Sequence, residues 1–146
     1  MSDLKRISPV EAKQLVDEQG YVYLDVRSVP EFEQEHPKGA RNVPLMNMGS
    51  GGMTPNPEFL SVMTRAFPKD AKLVVGCKAG SRSMRAAQLL LQNGWSNIVD
   101  QRAGFEGARD PFGQLTEPGW KPAGLPTDHG DGGAGSYARL KAPAGT

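Results

Sequence analysis

The chain has 146 residues, with 17 basic and 16 acidic side chains and a formal net charge of +1. This length is typical of one domain with its own core, and a charge so near zero excludes the strongly basic surface that nucleic acid or an anionic membrane would require. A single cysteine and two distant histidines exclude an internal disulfide and a cysteine-rich metal site, so we expect neither a metal nor a cofactor.

The start of the chain, MSDLKRISPV, is polar and lacks the apolar core of a secretory signal. No run in the sequence approaches the roughly 18 apolar residues of a membrane-spanning helix. We therefore expect a cytoplasmic protein, and we expect it to act as a monomer.

The first helix signal is a capping box. Ser8 can cap the helix, Pro9 suits its first position, and Glu11 can return a hydrogen bond to the cap. Gly20 is expected to end this helix. The β-rich run at residues 21–26 follows and predicts a buried strand.

The next segment has weaker signals. Residues 27–36 carry acidic side chains and Phe32 at helical spacing, and residues 42–44 predict a brief extended segment. Residues 47–57 are rich in glycine, and we expect them to form no regular structure but a functional loop or an insertion.

The second half repeats the alternation. A helix is predicted to start at residues 56–57, a buried strand at 72–76, a helix at 82–92 with a stop at 93–94, and a short strand at 96–101. Strands that alternate with helices predict an α/β domain of three layers, with a mainly parallel central sheet covered on both faces.

The composition changes near the C-terminus. From about Pro111 prolines and glycines recur and apolar residues become sparse. We therefore predict a domain at residues 1–127 and a flexible tail at residues 128–146, in which Tyr137 and Leu140 offer a weak docking point.

The cysteine lies in the stretch VVGCKAGSRSMRAAQ, at the end of a predicted strand and just before a helix. Ligands of α/β sheets bind at such strand ends. The loop after Cys77 can curl with its N–H groups inward, and Gly80 permits the positive φ that this needs. The helix dipole together with Lys78 and Arg82 favours the thiolate. We therefore expect a charged sulfur that solutes can reach.

The same donors would hold an anionic substrate, so the loop predicts a reactive site. The alternative is a packed cysteine at the end of a buried strand, with Lys78, Arg82 and Arg85 on a solvated helix start. His36 and Asp25 are the candidates for a general acid, but nothing in the sequence places them near the sulfur, and we expect both to be structural.

Two reactions use a cysteine in an anion-binding loop, phosphoryl transfer and sulfur transfer. The loop CKAGSR has four residues between cysteine and arginine, one fewer than phosphatase loops. A tighter loop suits a persulfide, and sulfur transfer needs no dedicated acid because sulfite and thiolates leave readily. The phosphatase alternative is therefore disfavoured.

The segments YLDVRSVPEFEQEHPKGARNVPL, VVGCKAGSRSMRAAQLLLQNGWSNI and RAGFEG, in this order, resemble the single-domain rhodaneses, and the resemblance covers residues 4–127. The insertion MNMGSGGMTPNPEFL and the late GLPT are similar to the small plant senescence-associated and related bacterial members. The resemblance implies a rhodanese fold and a sulfurtransferase that passes sulfur from a donor such as thiosulfate to cyanide or a thiol.

The resemblance also implies roles for individual residues. Cys77 matches the nucleophile that forms a persulfide, and Asp25 and Arg27 match a supporting pair at the end of a strand. The substrate-binding loop is implied to comprise Lys78, Ala79, Gly80, Ser81, Arg82 and Ser83.

One departure from the family pattern follows the last strand. Ala103, Gly104 and Ala108 stand where members usually have two adjacent glycines and a tryptophan. We expect this change to open the pocket and affect the acceptor, and Trp120 could refill the gap. It leaves a second hypothesis, a sulfur carrier or regulatory binding module that turns over little small donor.

Overall fold

Five parallel strands form the central sheet of the computed structural model, which describes residues 4–49 and 51–141. In chain order the strands are β1 (Lys5–Ile7), β2 (Val22–Asp25), β3 (His36–Pro37), β4 (Arg41–Asn42), β5 (Met46–Gly49), β6 (Gly52–Pro55), β7 (Lys72–Gly76), β8 (Asn97–Gln101), β9 (Gly107–Arg109), β10 (Leu115–Pro118) and β11 (Thr127–Asp128). The helices are α1 (Pro9–Glu18), α2 (Val29–Gln34), α3 (Phe59–Ala66), α4 (Ser81–Gln92) and α5 (Tyr137–Lys141). The predicted α/β class is confirmed.

The strand order of the central sheet is β1-β8-β7-β2-β4. The chain runs from β7 outward to β8 on one side and from β2 outward to β4 on the other, so the order reverses between β7 and β2. In the register of these two strands Asp25 lies opposite Gly76. The crevice at such a reversal is the usual ligand site of an open α/β sheet, and it lies beside the cysteine loop.

Both faces of the sheet are covered, as predicted. Leu73 and Val75 of β7 point into the apolar cluster formed with α3 and α4, whereas Val74 between them points into a second cluster on the side of α1. Side chains alternate along a strand, and burial of all three explains why the strand is a continuous apolar run.

The predicted cap of α1 is confirmed. Glu11 N–H donates to Ser8 Oγ at 3.1 Å, and Ser8 N–H donates to the Glu11 carboxylate at 3.0 Å. The helix ends at Glu18, two residues before Gly20, whose φ is 74°. No helix within residues 4–49 and 51–141 is both long and apolar enough to cross a membrane.

The glycine-rich segment differs from the prediction. Instead of an irregular loop, β5 and β6 form an antiparallel hairpin in which Met48 pairs with Met53 and Gly49 with Gly52. The sequence prediction was wrong because ladder hydrogen bonds depend on the backbone, and Gly52, with a φ of 104°, supplies the left-handed turn geometry that the hairpin needs.

The C-terminal segment lies against the domain over its described part. Asp128 of β11 pairs with His36 of β3, and Tyr137 and Leu140 pack against the larger apolar cluster. Asn56 Nδ2 donates to the Tyr137 hydroxyl at 3.1 Å. These contacts agree with the docking point expected at Tyr137 and Leu140, and they are more extensive than a free tail would make. The boundary at residue 127 and the flexibility of the tail stay predictions, and residues 142–146 lie outside the described residues.

Candidate active site

The cysteine loop joins β7 to α4 at the point where the strand order reverses. Gly80 precedes the first residue of α4 with a φ of 103°. A Cβ at this position would lie 2.2 Å from the carbonyl oxygen of Arg102. Only glycine therefore fits, both for its backbone angle and for the close approach of the neighbouring turn.

The sulfur of Cys77 has two polar neighbours. Gly80 N–H donates to Sγ at 3.1 Å, and the Ser83 hydroxyl lies 3.5 Å from Sγ. The Gly80 N–H thus stabilises negative charge on sulfur, whereas the Ser83 hydroxyl accepts from the thiol and donates its own proton to the Gly80 carbonyl.

Cys77 is only 2% exposed. The sequence predicted a sulfur that solutes can reach, whereas in the structure the side chain is buried in the same apolar cluster as Val75. The reason is the period of the strand, since residues two apart point to the same face. Cys77 is therefore part of the apolar core and is also the first residue of the loop.

The other loop residues divide into exposed and buried. Lys78, Ala79 and Ser81 are exposed, whereas Gly80 and Ser83 are buried. The backbone, more than the side chains, therefore forms the mouth of the site.

Arg82 is held by a partner that the sequence analysis missed. Its guanidinium donates to both carboxylate oxygens of Glu31, at 2.8 and 3.0 Å. Burial alone would raise the pKa of Glu31, but hydrogen bonds from Arg82 and Ser28 outweigh it and bring the pKa to about 2. Arg82, which was predicted to bind substrate, is thus paired with Glu31 of α2. Lys78 is the exposed cation of the loop.

The predicted pair at the end of β2 is buried beside this loop. Arg27 donates to the Asp25 carboxylate through Nε, at 3.1 Å, and through Nη2, at 2.8 Å. Its Nη2 also donates to the Glu35 carbonyl at 2.7 Å, and the guanidinium lies 4.4 Å from the centre of the Phe105 ring. These contacts tie the strand end to α2 and to the turn after β8.

His36 makes structural contacts. Its Nδ1 lies 2.7 Å from the Phe32 carbonyl, and its ring stacks on the Phe32 ring at 3.8 Å. A carbonyl only accepts, so Nδ1 carries the proton.

The turn after β8 clamps the cysteine loop from the other side. Phe105 N–H donates to the Cys77 carbonyl at 2.6 Å, and Glu106 N–H donates to the Lys78 carbonyl at 3.0 Å. A Cβ at Gly104 would lie 2.4 Å from the Lys78 carbonyl oxygen. Gly104 is therefore required for contact between the two loops.

Gln101, which the sequence analysis did not single out, braces this turn. Its side-chain oxygen accepts from the N–H groups of Ala103 and Gly104, at 2.8 and 2.9 Å, and its Nε2 donates to the Gly104 carbonyl at 2.7 Å. The only sign of this role in the sequence is that a polar residue ends the predicted strand at residues 96–101.

Trp120 lies against the same turn. Its backbone N–H donates to the Gly104 carbonyl at 2.9 Å, and its ring is buried edge-on against Tyr23, with ring centres 5.2 Å apart. Trp120, which the sequence analysis considered as a replacement for the missing family tryptophan, thus packs in the core next to this turn.

A second group of residues missed by the sequence analysis makes hydrogen bonds to the Gly80 carbonyl of the loop. Arg6 of β1 donates through Nη2 to the Gly80 carbonyl at 3.2 Å and through Nε to Asp100 at 2.6 Å. The Ser83 hydroxyl donates to the same carbonyl at 3.3 Å. Arg6 and Asp100 are 94 positions apart in the chain, so no local pattern joins them.

The arrangement fits covalent catalysis in which Sγ carries the transferred group. Across the described part of the chain, no three potential metal-ligating side chains converge on one point. The site therefore places a buried thiol next to one main-chain donor, the Gly80 N–H.

Comparison with known proteins bears on this site. A family model described as "Rhodanese-like domain" matches residues 8–110. The chain is 42% identical over 108 residues to a chloroplastic protein of Arabidopsis thaliana named thiosulfate sulfurtransferase 16, and the match covers 74% of this chain and 80% of that protein. It is 35% identical over 106 residues to the thiosulfate sulfurtransferase GlpE of Pseudomonas fluorescens, covering 73% of this chain and 85% of that protein.

Other relatives are longer than the matched region. The chain is 37% identical over 97 residues to the senescence-associated protein DIN1 of Raphanus sativus, and the match covers 66% of this chain but only 53% of that protein. Among solved structures, Rv0390 from M. tuberculosis matches with a TM-score of 0.72 at 28% identity, over 88% of this chain and all of that chain (100%).

Proposed function

This chain belongs to the family of rhodanese-like domains, and from that premise we propose that it is a thiosulfate:cyanide-type sulfurtransferase working through a persulfide on Cys77. It moves a sulfane sulfur from a donor such as thiosulfate to cyanide or a thiol. The observation that carries the proposal is the position of Sγ, which lies 3.1 Å from the Gly80 amide at a strand-to-helix junction. We further propose that it works as a cytoplasmic monomer.

The reaction has two steps. The Cys77 thiolate attacks the outer sulfur of thiosulfate, a new S–S bond forms, and sulfite leaves with the electron pair of the broken bond. The acceptor then attacks the terminal sulfur and regenerates the thiolate, which is the double-displacement pattern of covalent catalysis. The chain has one cysteine, so the acceptor comes from outside it.

The donor is proposed to bind above the exposed part of the loop. Lys78 supplies a mobile positive charge for the sulfonate end, while Arg82 acts mainly through its ion pair with Glu31, which fixes the start of α4 against α2. The backbone N–H groups at the start of α4 add the positive end of the helix dipole.

The test is mass spectrometry of the whole protein after incubation with thiosulfate, combined with a thiocyanate assay. We expect a mass gain of one sulfur in the native protein and none in Cys77→Ser, with thiocyanate formed only by the former. A Cys77→Ser protein that keeps full thiosulfate:cyanide activity would refute the proposal.

The near burial of Sγ favours a second candidate, a sulfur carrier or regulatory module that is loaded by a partner. An exposure of 2% restricts the access of small solutes to the sulfur. A persulfide on Cys77 without thiocyanate production would support the carrier, whereas rapid turnover of thiosulfate would support the enzyme.

A further inference from the structure

Arg6 contacts the cysteine loop from the edge of the central sheet, and the reaction described above gives it no role. It lies on the edge strand β1, directly opposite Asp100 in the register of β1 with β8. Its Nε donates to Asp100 Oδ2 at 2.6 Å, and its Nη2 donates to the Gly80 carbonyl at 3.2 Å. One guanidinium therefore joins a buried carboxylate to the backbone of the loop.

The orientation of Gly80 has to be fixed by its surroundings. Glycine adopts positive and negative φ with similar ease, so the residue itself does not impose its φ of 103°. Three groups donate to its carbonyl: Arg6 Nη2 at 3.2 Å, the Ser83 hydroxyl at 3.3 Å and the Met84 N–H at 3.3 Å. Arg6 is the charged donor among them, and hydrogen bonds from charged donors are roughly twice as strong as neutral ones. The orientation of Gly80 therefore depends strongly on Arg6.

This orientation matters because the Gly80 N–H donates to Cys77 Sγ at 3.1 Å. The N–H and the carbonyl belong to one residue, so a Gly80 that turned about its backbone bonds would move its N–H away from the sulfur. Sγ is negatively charged as the attacking thiolate. It becomes so again when the acceptor attacks the terminal sulfur, the S–S bond breaks and Sγ keeps the electron pair. A donor fixed in place beforehand needs no reorganisation as this charge develops.

We propose that Arg6 is a positioning residue, which holds the Gly80 carbonyl and so keeps the Gly80 N–H directed at Cys77 Sγ in both steps of sulfur transfer; this inference rests on the sulfurtransferase function proposed above. The Arg6 side chain is 38% exposed, and its ion pair with Asp100 restricts the guanidinium to one place. The same hydrogen bond polarises the peptide between Gly80 and Ser81, which makes the Ser81 N–H at the start of α4 a stronger donor.

The competing explanation is that Arg6 only neutralises Asp100, which is fully buried. Removing one partner of a buried ion pair leaves an unpaired charge and destabilises the fold. The double variant Arg6→Ala/Asp100→Asn separates the two explanations, because it removes that charge together with the arginine. If Arg6 only neutralises Asp100, the double variant recovers the native rates. If Arg6 positions Gly80, the double variant stays slow.

The experiment measures both half-reactions in single turnovers, by quenching and mass spectrometry: loading of Cys77 by thiosulfate, and discharge of the persulfide by cyanide. We expect both to be slower by on the order of tenfold in Arg6→Ala and in the double variant, less than the roughly hundredfold or greater loss when such a donor is removed outright. The matched control is Arg102→Ala, whose side chain donates to Glu117 and to the Arg6 carbonyl rather than to Gly80. It should keep the native rates.

Added guanidinium ion supplies a readout that a loss of stability would not move. Arg6→Ala keeps the Asp100 carboxylate and opens a partly exposed space beside it, in which the ion can bind and donate to the Gly80 carbonyl. Guanidinium, far below the concentrations that unfold proteins, should accelerate both half-reactions in Arg6→Ala. It should leave the native protein and the double variant, which lacks the carboxylate, unchanged. Sodium chloride at the same ionic strength should have no such effect.

The positioning role is overturned by native rates in Arg6→Ala, by recovery in the double variant, by an equal loss in Arg102→Ala or by the lack of a guanidinium response. A loss confined to loading by thiosulfate also overturns it, since Arg6 would then bind the donor. Should Arg6→Ala fail to fold, the double variant, which has no unpaired buried charge, carries the rate comparison. If the native protein forms persulfide and the variants are unimpaired, the positioning role alone fails. If the native protein forms no persulfide with thiosulfate, the proposed function fails and the positioning role with it.

Discussion

At the scale of single residues, the charges around the loop have separate tasks. Arg82 was predicted from its place in the loop to bind substrate. Its guanidinium instead forms hydrogen bonds with the carboxylate of Glu31 on α2, 51 positions earlier in the chain. Lys78 is exposed, and no ion pair to it is seen in the described part of the chain. We therefore propose that Lys78 attracts the substrate and that Arg82 positions the start of the helix.

Replacing Lys78 by Met should raise the KM for thiosulfate about fivefold with little change in kcat, since a unit charge about 4 Å from an anion in water contributes about 1 kcal/mol. The matched control is Lys72→Met, at the opposite end of the strand that precedes the loop. Steady-state kinetics with thiosulfate and cyanide checks this. An unchanged KM in Lys78→Met would show that backbone donors suffice.

The ion pair of Glu31 predicts a pH dependence of stability. Its pKa is lowered from 4.5 to about 2 in the folded protein, so the ionised pair stabilises the fold fully above pH 4.5 and progressively less as the pH falls towards about 2. Glu31→Gln should therefore lower the free energy of unfolding most at neutral pH, and the deficit should shrink across this window. Urea unfolding at a series of pH values measures the difference, and a deficit independent of pH would contradict the assignment.

At the scale of elements, backbone contacts account for the two segments that the composition described poorly. The hairpin of β5 and β6 and the pairing of β11 with β3 both use ladder hydrogen bonds, which need no apolar side chains. Helix α5 adds two side chains to the larger core cluster. Sparse apolar residues predicted a flexible tail, and that flexibility stays a prediction, although the described part of the segment contacts the domain.

Ending the chain after residue 127 tests this packing. A flexible tail would add little to stability, whereas the contacts of Tyr137 and Leu140 predict a loss of about 2–4 kcal/mol, from partial burial of two side chains and one hydrogen bond. Tyr137→Phe is the matched control, since it removes only the hydroxyl that Asn56 contacts and should cost about 1 kcal/mol or less. Thermal and urea unfolding measure both, and an unchanged midpoint in the truncated chain would show that these contacts add nothing.

At the scale of the whole molecule, the site exists because three distant segments meet at one edge of the sheet. The loop after β7 carries Cys77, the end of β2 carries Asp25 and Arg27, and the turn after β8 clamps the loop through Phe105. The reversal of strand order between β7 and β2 creates the crevice, and the neighbouring β8 brings its turn alongside.

Much of this could be predicted from local patterns. The capping box at Ser8, the apolar run of β7, the positive φ of Gly80 and the position of Cys77 at a strand-to-helix junction each depend on residues within a few positions of one another. The short-range rules of helix caps, strand alternation and glycine geometry therefore sufficed for the alternation of the main strands and helices, and they predict Cys77 as the nucleophile.

The sequence by itself thus determined the α/β class and the place of Cys77 in a loop between a strand and a helix, because nearest-neighbour sterics and hydrogen bonding decide such features. Only the tertiary structure decided that Glu31 pairs with Arg82, that Gln101 braces the adjoining turn, that Arg6 pairs with Asp100 and that the sulfur is almost fully buried. These depend on how separate strands and helices pack, and packing brings together atoms whose proximity no short stretch of sequence encodes.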